Sequence, residues 1–223
     1  MQKINFLESA PKIARNIDAR KTDKEENRRI ALEFGEAYFD GPREQGYGGY
    51  GYDGRWVAVA KRLIETYELK PGQRVLDVGC AKGFLVNDLL EALPGLEVYG
   101  LDISRYALER AHGRSRGELI RGSCDRLPFP DASFDLVLGI NTIHNLTEDG
   151  CRRALREIHR VSRANAFIQV DAYRNESERA IFEDWMLTAL TYKTEKGWLD
   201  LFDDAGYIGD YYWTVLLPDG QVA

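Results

Sequence analysis

Short apolar runs alternate with amphipathic stretches over most of this 223-residue chain. The runs are rich in Val, Leu and Ile and are bounded by glycine, proline or aspartate, as is typical of strands buried on both faces. Between them, apolar residues recur every three or four positions, which predicts helices. The predicted strands are 74–80, 97–103, 119–124, 134–143, 165–173 and 210–217, and the predicted helices are 57–69, 84–93, 104–112, 148–161, 178–190 and 196–205.

This alternation predicts an α/β fold, a three-layer sandwich whose sheet has six or seven mostly parallel strands. Right-handed crossovers then place the C-terminal ends of the strands at one edge of the sheet, where ligands bind. We expect one domain over 57–223, preceded by an N-terminal helical extension over 1–56. Within that extension, helices are expected from Pro11 and from Asp23.

Residues 38–56 interleave glycines with six aromatic side chains. Glycine frees the backbone and aromatic rings offer flat apolar surfaces. This composition suits a mobile lid that closes over a flat or cationic ligand. The alternative is an aromatic loop that packs permanently on the core.

The composition excludes several classes of protein. The net charge of −6 argues against nucleic acid as a partner, since phosphate binding needs a basic face. The three cysteines form no CxxC or Cys/His cluster, so we expect no metal and a reducing compartment. We found no apolar run of the kind that forms a signal peptide or membrane span, and we expect a cytoplasmic location without membrane association.

The stretch 75–84 carries the main chemical signal. A strand ends in the acid Asp77, and a turn of small residues with Gly79 and Gly83 leads into a helix. Its spacing is G-x-A-x-G, whereas a dinucleotide fingerprint requires G-x-G-x-x-G. A nicotinamide cofactor is therefore disfavoured, and the carboxylate suits a cation or an amino group better than a pyrophosphate.

Two further acids end the next strands. Asp102 lies 23 residues after Gly79, where an acid accepts hydrogen bonds from ribose hydroxyls. Asp125 follows the third strand, where a carboxylate can accept from an exocyclic amine such as that of adenine. Apolar neighbours such as Ile103 and Leu127 can cover the ring. The three acids thus match an amino acid, a ribose and an adenine within one ligand.

The stretches VLDVGCAKGFL, VYGLDIS and GSCDRLPFPDASFDLVLGINTIHNL together resemble the motif series of class I S-adenosylmethionine (SAM)-dependent methyltransferases, in particular the small-molecule type-11-like group, over about residues 70–172. The resemblance implies a Rossmann-like fold, SAM as cofactor and S-adenosylhomocysteine as product. It implies that Asp77, Gly79 and Ala81 line the methionine end, Asp102 and Ile103 hold the ribose and adenine, Cys124 and Asp125 meet the adenine edge, and Asn141 faces the methionine amino group through its backbone.

The chain departs from the family pattern at two places. Ala81 stands where the motif usually has its middle glycine, which leaves less room near the cofactor. The family's sheet ends in an antiparallel hairpin, but only 210–217 is an obvious closing strand here. We therefore expect the last strand to be missing or truncated.

The sulfonium of SAM is an activated methyl donor, so positioning the acceptor for in-line SN2 displacement supplies most of the rate gain. A base is not obligatory for an amine acceptor, although an oxygen or carbon acceptor must lose a proton. His144, just after the fourth strand, is the best base candidate, and its alternative role is to bond the local loop. Tyr50 is the second catalytic candidate. Expected acceptor contacts are Tyr47, Tyr52 and Arg55 from the aromatic segment, Tyr173 and Arg174 at the end of the fifth strand, and Trp185 above the pocket.

The sequence thus predicts a methyltransferase that acts on a small-molecule methyl acceptor and not on nucleic acid, as a monomer or homodimer. The alternative is a non-catalytic methyltransferase-like subunit or binding module that supports a partner. The intact series of acids speaks against that alternative, although a protein that only binds could keep it.

Overall fold

The computed structural model describes residues 1–9, 17–217 and 220–221. The strands are β1 (Arg74–Val78), β2 (Glu97–Asp102), β3 (Leu119–Arg121), β4 (Phe134–Ile140), β5 (Ser162–Tyr173), β6 (Lys193–Thr194) and β7 (Asp210–Thr214). The helices are α1 (Lys24–Ala31), α2 (Glu36–Phe39), α3 (Trp56–Thr66), α4 (Phe84–Ala92), α5 (Arg105–Glu109), α6 (Glu148–Val161), α7 (Glu176–Trp185) and α8 (Glu195–Ala205).

The seven strands form one parallel sheet in the order β3-β2-β1-β4-β5-β6, and β7 also pairs with β5. β7 and β6 share one edge of β5, because β7 pairs with 167–171 and β6 with 172–173. The sheet therefore confirms the predicted α/β architecture. Chain order reverses between β1 and β4, which is the switch point where ligands bind in such folds.

Side chains that alternate along β1 enter two different cores. Leu76 and Val78 pack with the apolar faces of α6 and α8 on one side of the sheet. Val75 packs with α3 and α4 on the other side. A strand buried on both faces needs apolar residues at nearly every position, which is why Asp77 stands out within β1.

The described residues contain no antiparallel hairpin strand of the kind that closes the family's sheet, and every strand pairing in them is parallel. The first residues of the chain cover the outer edge of β7 instead. Ile4 donates its N–H to the Tyr211 carbonyl and Tyr211 donates to the Gln2 carbonyl, both at 2.9 Å. Phe6 then anchors this segment, because it is fully buried against Phe167 with ring centroids 4.8 Å apart.

Other boundaries differ from the pattern-based prediction in identifiable ways. The helix predicted over 178–190 ends at Trp185, because the chain turns extended at Met186 and the Leu190 and Thr191 N–H groups donate to the His144 carbonyl. The helix expected from Asp23 forms as α1, whereas the one expected from Pro11 lies outside the described residues. No helix in the described part of the chain combines the length and the apolar character of a membrane span.

Candidate active site

A cleft opens at the C-terminal ends of β1, β2 and β4, with a volume of about 690 Å³ including the part open to solvent. The sheet wall of the cleft is formed by Gly79, Ala81, Leu101, Asp102, Ile103, Gly122, Ser123, Cys124, Asn141, Thr142, Asn145 and Leu146. The N-terminal wall, opposite, is formed by Phe34, Tyr38, Phe39 and Tyr47.

The turn after β1 brings bare backbone to the cleft. Gly79 has φ +83°, and a Cβ placed there would lie only 2.0 Å from the Thr142 hydroxyl oxygen. The N–H groups of Gly79 and Cys80 both donate to the Leu101 carbonyl, at 2.6 and 3.1 Å, which ties the turn to β2. Glycine is therefore required at this position both for its left-handed backbone and for the close packing on Thr142.

Asp102 lies in the cleft at the end of β2, as predicted. Its two carboxylate oxygens accept the N–H groups of Ala81 and Ser104, each at 2.8 Å. Burial raises the pKa of Asp102 even though these two bonds act in the opposite direction. A carboxylate oxygen has a second lone pair, so each oxygen can still accept a hydrogen bond from a ligand hydroxyl.

Asp77 is buried within β1 and does not itself line the cleft. Burial, assisted by the negative charge of Asp102, raises the pKa of Asp77 to about 7. The two neighbouring carboxylates therefore resist being ionised together. A cation in the cleft would relieve that repulsion. The negative potential of the two carboxylates therefore favours a sulfonium or ammonium group.

The loop after β3 presents Ser123 and Cys124 to the cleft. Burial raises the pKa of the Cys124 thiol to about 12, so this side chain is a neutral wall group. Asp125 is not among the lining residues, because its carboxylate accepts the Ser123 hydroxyl at 2.5 Å and pairs with Arg153 at 2.9 Å. Its predicted contact with an adenine amine would require it to exchange one of these partners and remains a prediction.

The turn after β4 completes the sheet wall. Asn141 has φ +54°, a left-handed conformation that is uncommon outside glycine, and its N–H donates to the Gln169 carbonyl at 2.9 Å. Thr142, Asn145 and Leu146 continue the wall beyond it. This bend places Thr142 beside Gly79 in the turn after β1, and a contact of Asn141 with the methionine end of SAM remains a prediction.

The N-terminal wall comes from the aromatic part of the extension and from the loop before it. Ser104 caps α5 and also donates its hydroxyl to the Phe34 carbonyl at 2.6 Å, which ties the loop before α2 to the sheet. Burial raises the pKa of Tyr38, although the neighbouring hydroxyls of Thr188 and Tyr47 act in the opposite direction. This wall is thus mainly apolar, with phenol groups as its polar component.

Neither catalytic candidate lines the cleft in this structure. His144 is only 5% exposed, and its Nδ1 accepts the Asp171 N–H at 3.2 Å. Because Nδ1 acts as an acceptor, the proton of the neutral ring lies on Nε2. This geometry favours the alternative role of bonding the local loop. Tyr50 stacks on Phe84 with centroids 4.9 Å apart, and burial raises its pKa.

Among the predicted acceptor contacts from the aromatic segment, Tyr47 lines the cleft and the other two do not. Tyr52 stacks on His112 at 4.0 Å and donates its hydroxyl to Asp88 at 2.7 Å. Arg55 pairs with Asp53, with its Nη2 2.6 Å from the carboxylate. Both side chains therefore have partners within the protein.

The acceptor contacts predicted near the end of β5 also lie outside the cleft lining. Arg174 forms an ion pair with Glu178, and Tyr173 contacts the Tyr192 ring. Trp185 is buried with the Arg20 guanidinium 3.7 Å above its ring. Roles for these three residues in acceptor binding remain predictions and would require a rearrangement of the pairs described here.

Phe34 and Leu146 are wall residues that the sequence pattern does not indicate. Phe34 follows α1 in sequence and looks like an ordinary apolar helix position, yet its φ of +49° turns the chain toward the cleft. Leu146 follows a short 3₁₀ turn, Ile143–Asn145. Only its distance of a few residues from Asn141 could have indicated a role.

Comparisons with known proteins agree with this architecture. Residues 75–165 match a family model described as a methyltransferase domain. An uncharacterized methyltransferase of Synechocystis is 30% identical over 149 residues, which cover 66% of this chain and 69% of that protein. Demethylmenaquinone methyltransferase of Thermotoga maritima is 38% identical over 114 residues, 50% of this chain and 47% of that enzyme.

A solved SAM-dependent methyltransferase from Aquifex aeolicus shares the fold, with a TM-score of 0.51 and 22% identity over 66% of this chain and 78% of that one. The chain spans about half the length of curated relatives such as the Thermotoga enzyme. The fold, the cleft and these matches show that the chain belongs to the class I SAM-dependent methyltransferase family. SAM is the cofactor that this family uses.

Proposed function

We propose that this protein is a methyltransferase that moves the methyl group of SAM to an uncharged or cationic small molecule. The observation that supports it most strongly is the Asp102 carboxylate in the cleft, held between the turn after β1 and the start of α5 by two backbone N–H groups. This arrangement presents a fixed hydrogen-bond acceptor at the C-terminal end of β2, where an acid accepts hydrogen bonds from a ribose in nucleotide-binding folds of this type. The nearby Asp77 carboxylate adds negative potential for a cationic donor.

The residues fit the parts of SAM as follows. Asp102 would accept the ribose hydroxyls, and Ile103 and Cys124 would cover the adenine. The backbone at Gly79 and Ala81 and the carbonyl of Asn141 would hold the methionine end. Bound SAM supplies a methyl group on a positively charged sulfur, which needs no further activation.

The acceptor would then enter between the end of the sheet wall at Asn145 and Leu146 and the N-terminal wall at Tyr38 and Tyr47. Asp102 is the only charged residue among the described residues that line the cleft. An anionic acceptor would therefore meet no cationic side chain there, whereas an amine, a neutral hydroxyl or an apolar ring would be accommodated. The Thermotoga relative is named for demethylmenaquinone, a small molecule, which agrees with this class.

The chain's contribution to the reaction is alignment and exclusion of water. Aromatic side chains on the N-terminal wall cover the donor, and the Tyr38 hydroxyl offers a hydrogen bond to an acceptor oxygen or nitrogen. Fixing two reactants in line can supply about 7–11 kcal/mol in the best intramolecular models. His144 is not needed for an amine acceptor that enters in its neutral form.

Calorimetric titration of the full chain with SAM and with S-adenosylhomocysteine tests the proposal. We expect binding of both compounds at one site and no binding of NADH. Transfer of tritium from methyl-labelled SAM to a panel of amines, phenols and carboxylates then tests the activity, with the carboxylates expected to be the poorest acceptors. Binding of NADH without SAM would contradict the proposal, and SAM binding without transfer to any acceptor would favour the non-catalytic alternative.

A further inference from the structure

Asp40, at the end of α2, is the centre of a polar cluster outside the cleft. Its carboxylate oxygens lie 2.8 and 2.7 Å from the Lys82 ammonium. The Tyr106 hydroxyl donates to the same carboxylate at 2.8 Å, and the Tyr50 N–H donates at 3.0 Å. Three separate parts of the chain thus meet at one aspartate: the aromatic segment, the turn after β1 and helix α5.

Lys82 lies in the turn after β1, directly after Ala81, and is only 7% exposed. Its ammonium also donates to the Tyr50 carbonyl at 2.8 Å. A buried ammonium is unfavourable unless it is paired and hydrogen-bonded, and here both conditions are met by residues of the aromatic segment. Lys82 therefore points toward the N-terminal extension rather than toward a ligand.

The neighbours of this ion pair belong to opposite walls of the cleft. Ala81, which precedes Lys82, lies on the sheet wall, and Phe39, which precedes Asp40, lies on the N-terminal wall. Both residues also belong to one buried apolar cluster that includes Ala107. The ion pair consequently links the two walls of the cleft beside Ala81, where the methionine end of SAM is proposed to bind.

From this geometry we infer that Asp40 and Lys82 are positioning residues, which hold the aromatic wall over the bound donor without contacting it. The inference rests on the proposed function, because it concerns retention of SAM. Breaking the pair lets the N-terminal wall separate from the sheet wall, so the donor leaves faster. The rate at which the donor enters changes little, because the Asp77 and Asp102 carboxylates that attract it are unaltered.

The experiment measures the dissociation rate and affinity of S-adenosylhomocysteine for the full chain by stopped-flow fluorescence and calorimetry. Asp40→Asn and Lys82→Met keep the side-chain size but remove one charge each. We expect each to weaken affinity about tenfold, mainly through faster dissociation, as for a charged hydrogen-bonded pair. The double variant should be no weaker than the worse single variant, because both remove the same contact.

The matched control is the exposed pair Lys196–Asp200 on α8, whose charged atoms lie 2.6 Å apart. Lys196→Met should leave both the dissociation rate and the affinity unchanged. Tyr106→Phe removes one hydrogen bond from the cluster and no charge. It should raise the dissociation rate less than Asp40→Asn does, and it serves if the charge variants fail to fold.

Two outcomes separate the two proposals. If the unaltered protein fails to bind S-adenosylhomocysteine, the proposed function is wrong. If it binds, and the Asp40, Lys82 and Tyr106 variants that fold release the ligand at the rate of the unaltered protein, the positioning role is wrong. A lower thermal stability with unchanged dissociation would likewise show a merely structural pair.

Discussion

The two walls of the cleft are built in different ways. The sheet wall consists of turns whose backbone is fixed locally, with left-handed residues at Gly79, Ala81 and Asn141 and an aspartate that accepts two amides. The N-terminal wall consists of aromatic side chains, and contacts between distant residues such as Asp40 and Lys82 hold it in place. The first wall is specified by short motifs, and the second by long-range packing. We therefore expect backbone changes to affect donor binding most on the sheet wall.

The largest effect is expected from Gly79→Val. The new side chain would overlap Thr142 and would also have to adopt φ +83°. Affinity for S-adenosylhomocysteine should fall more than about 100-fold, because the turn must move out of place. Calorimetry measures this, and Gly51→Val, a site with open space around it, is the control. Equal losses at both sites would contradict the comparison.

Asp102→Asn should have the next largest effect. The amide keeps one oxygen for a backbone N–H but can no longer accept on both sides, so affinity should fall by about 1–2 kcal/mol, roughly tenfold. The melting temperature should also fall, because the Ala81 or Ser104 N–H loses its acceptor. Asp125→Asn, at a carboxylate outside the cleft lining, should change affinity less. A larger effect at Asp125 would place the key carboxylate after β3.

The sheet wall could be predicted in part from sequence, because its residues follow the strands in short local motifs. The spacing of Asp77, Gly79 and Asp102 fixed their positions at the ends of adjacent strands, and the structure places Gly79 and Asp102 at the cleft. The partners of the predicted acceptor contacts could not be predicted in this way. Arg55 and Arg174 are chemically suited to ligands, but each has a carboxylate nearby in the fold that sequence spacing did not identify as its partner.

Local patterns also failed where tertiary contacts override propensity. The stretch after Trp185 has helical apolar spacing, but its backbone bonds to the His144 carbonyl and leaves the helix. The outer edge of β7 is covered by the first residues of the chain, more than 200 positions away in sequence, and no periodicity reports such a pairing.

The pH dependence of donor binding should be smaller. Because the pKa of Asp77 is about 7 in the ligand-free protein, Asp77 is mostly protonated below that pH. A cationic ligand that favours the carboxylate must then bind with release of the Asp77 proton. Affinity for SAM should fall by at most about tenfold from pH 8 to pH 6, and Asp77→Asn should remove this dependence. Titration in buffers of different ionisation enthalpy would detect the released proton. Identical affinity at both pH values would argue against this coupling.

The same group affects stability with a defined sign. The pKa of Asp77 is higher in the folded protein than in the unfolded chain, so its protonated form favours the fold. This contribution is complete below about pH 4 and is lost as the pH rises through about 7. Urea unfolding of the unaltered protein and of Asp77→Asn across this pH range measures the contribution. The unaltered protein should gain stability relative to the variant as the pH falls from about 7 to about 4, and a loss of relative stability over this range would contradict the sign.

The smallest effect is expected from Ala81→Gly. Ala81 has φ +51°, where glycine avoids a cost of about 1 kcal/mol but makes the unfolded chain more flexible by a similar amount. Stability and donor affinity should therefore change less than about threefold in equilibrium constant. A large gain in SAM affinity would show that the Ala81 methyl group limits the space for the methionine end.

We propose that the carboxylate at the end of β2 holds the ribose of the donor, and a crystal structure of the full chain with S-adenosylhomocysteine would show whether it does. We expect both ribose hydroxyls within hydrogen-bond distance, about 2.6–3.2 Å, of the Asp102 oxygens, with the adenine between Ile103 and Cys124. A ligand bound elsewhere, or a ribose that makes no contact with Asp102, would contradict it.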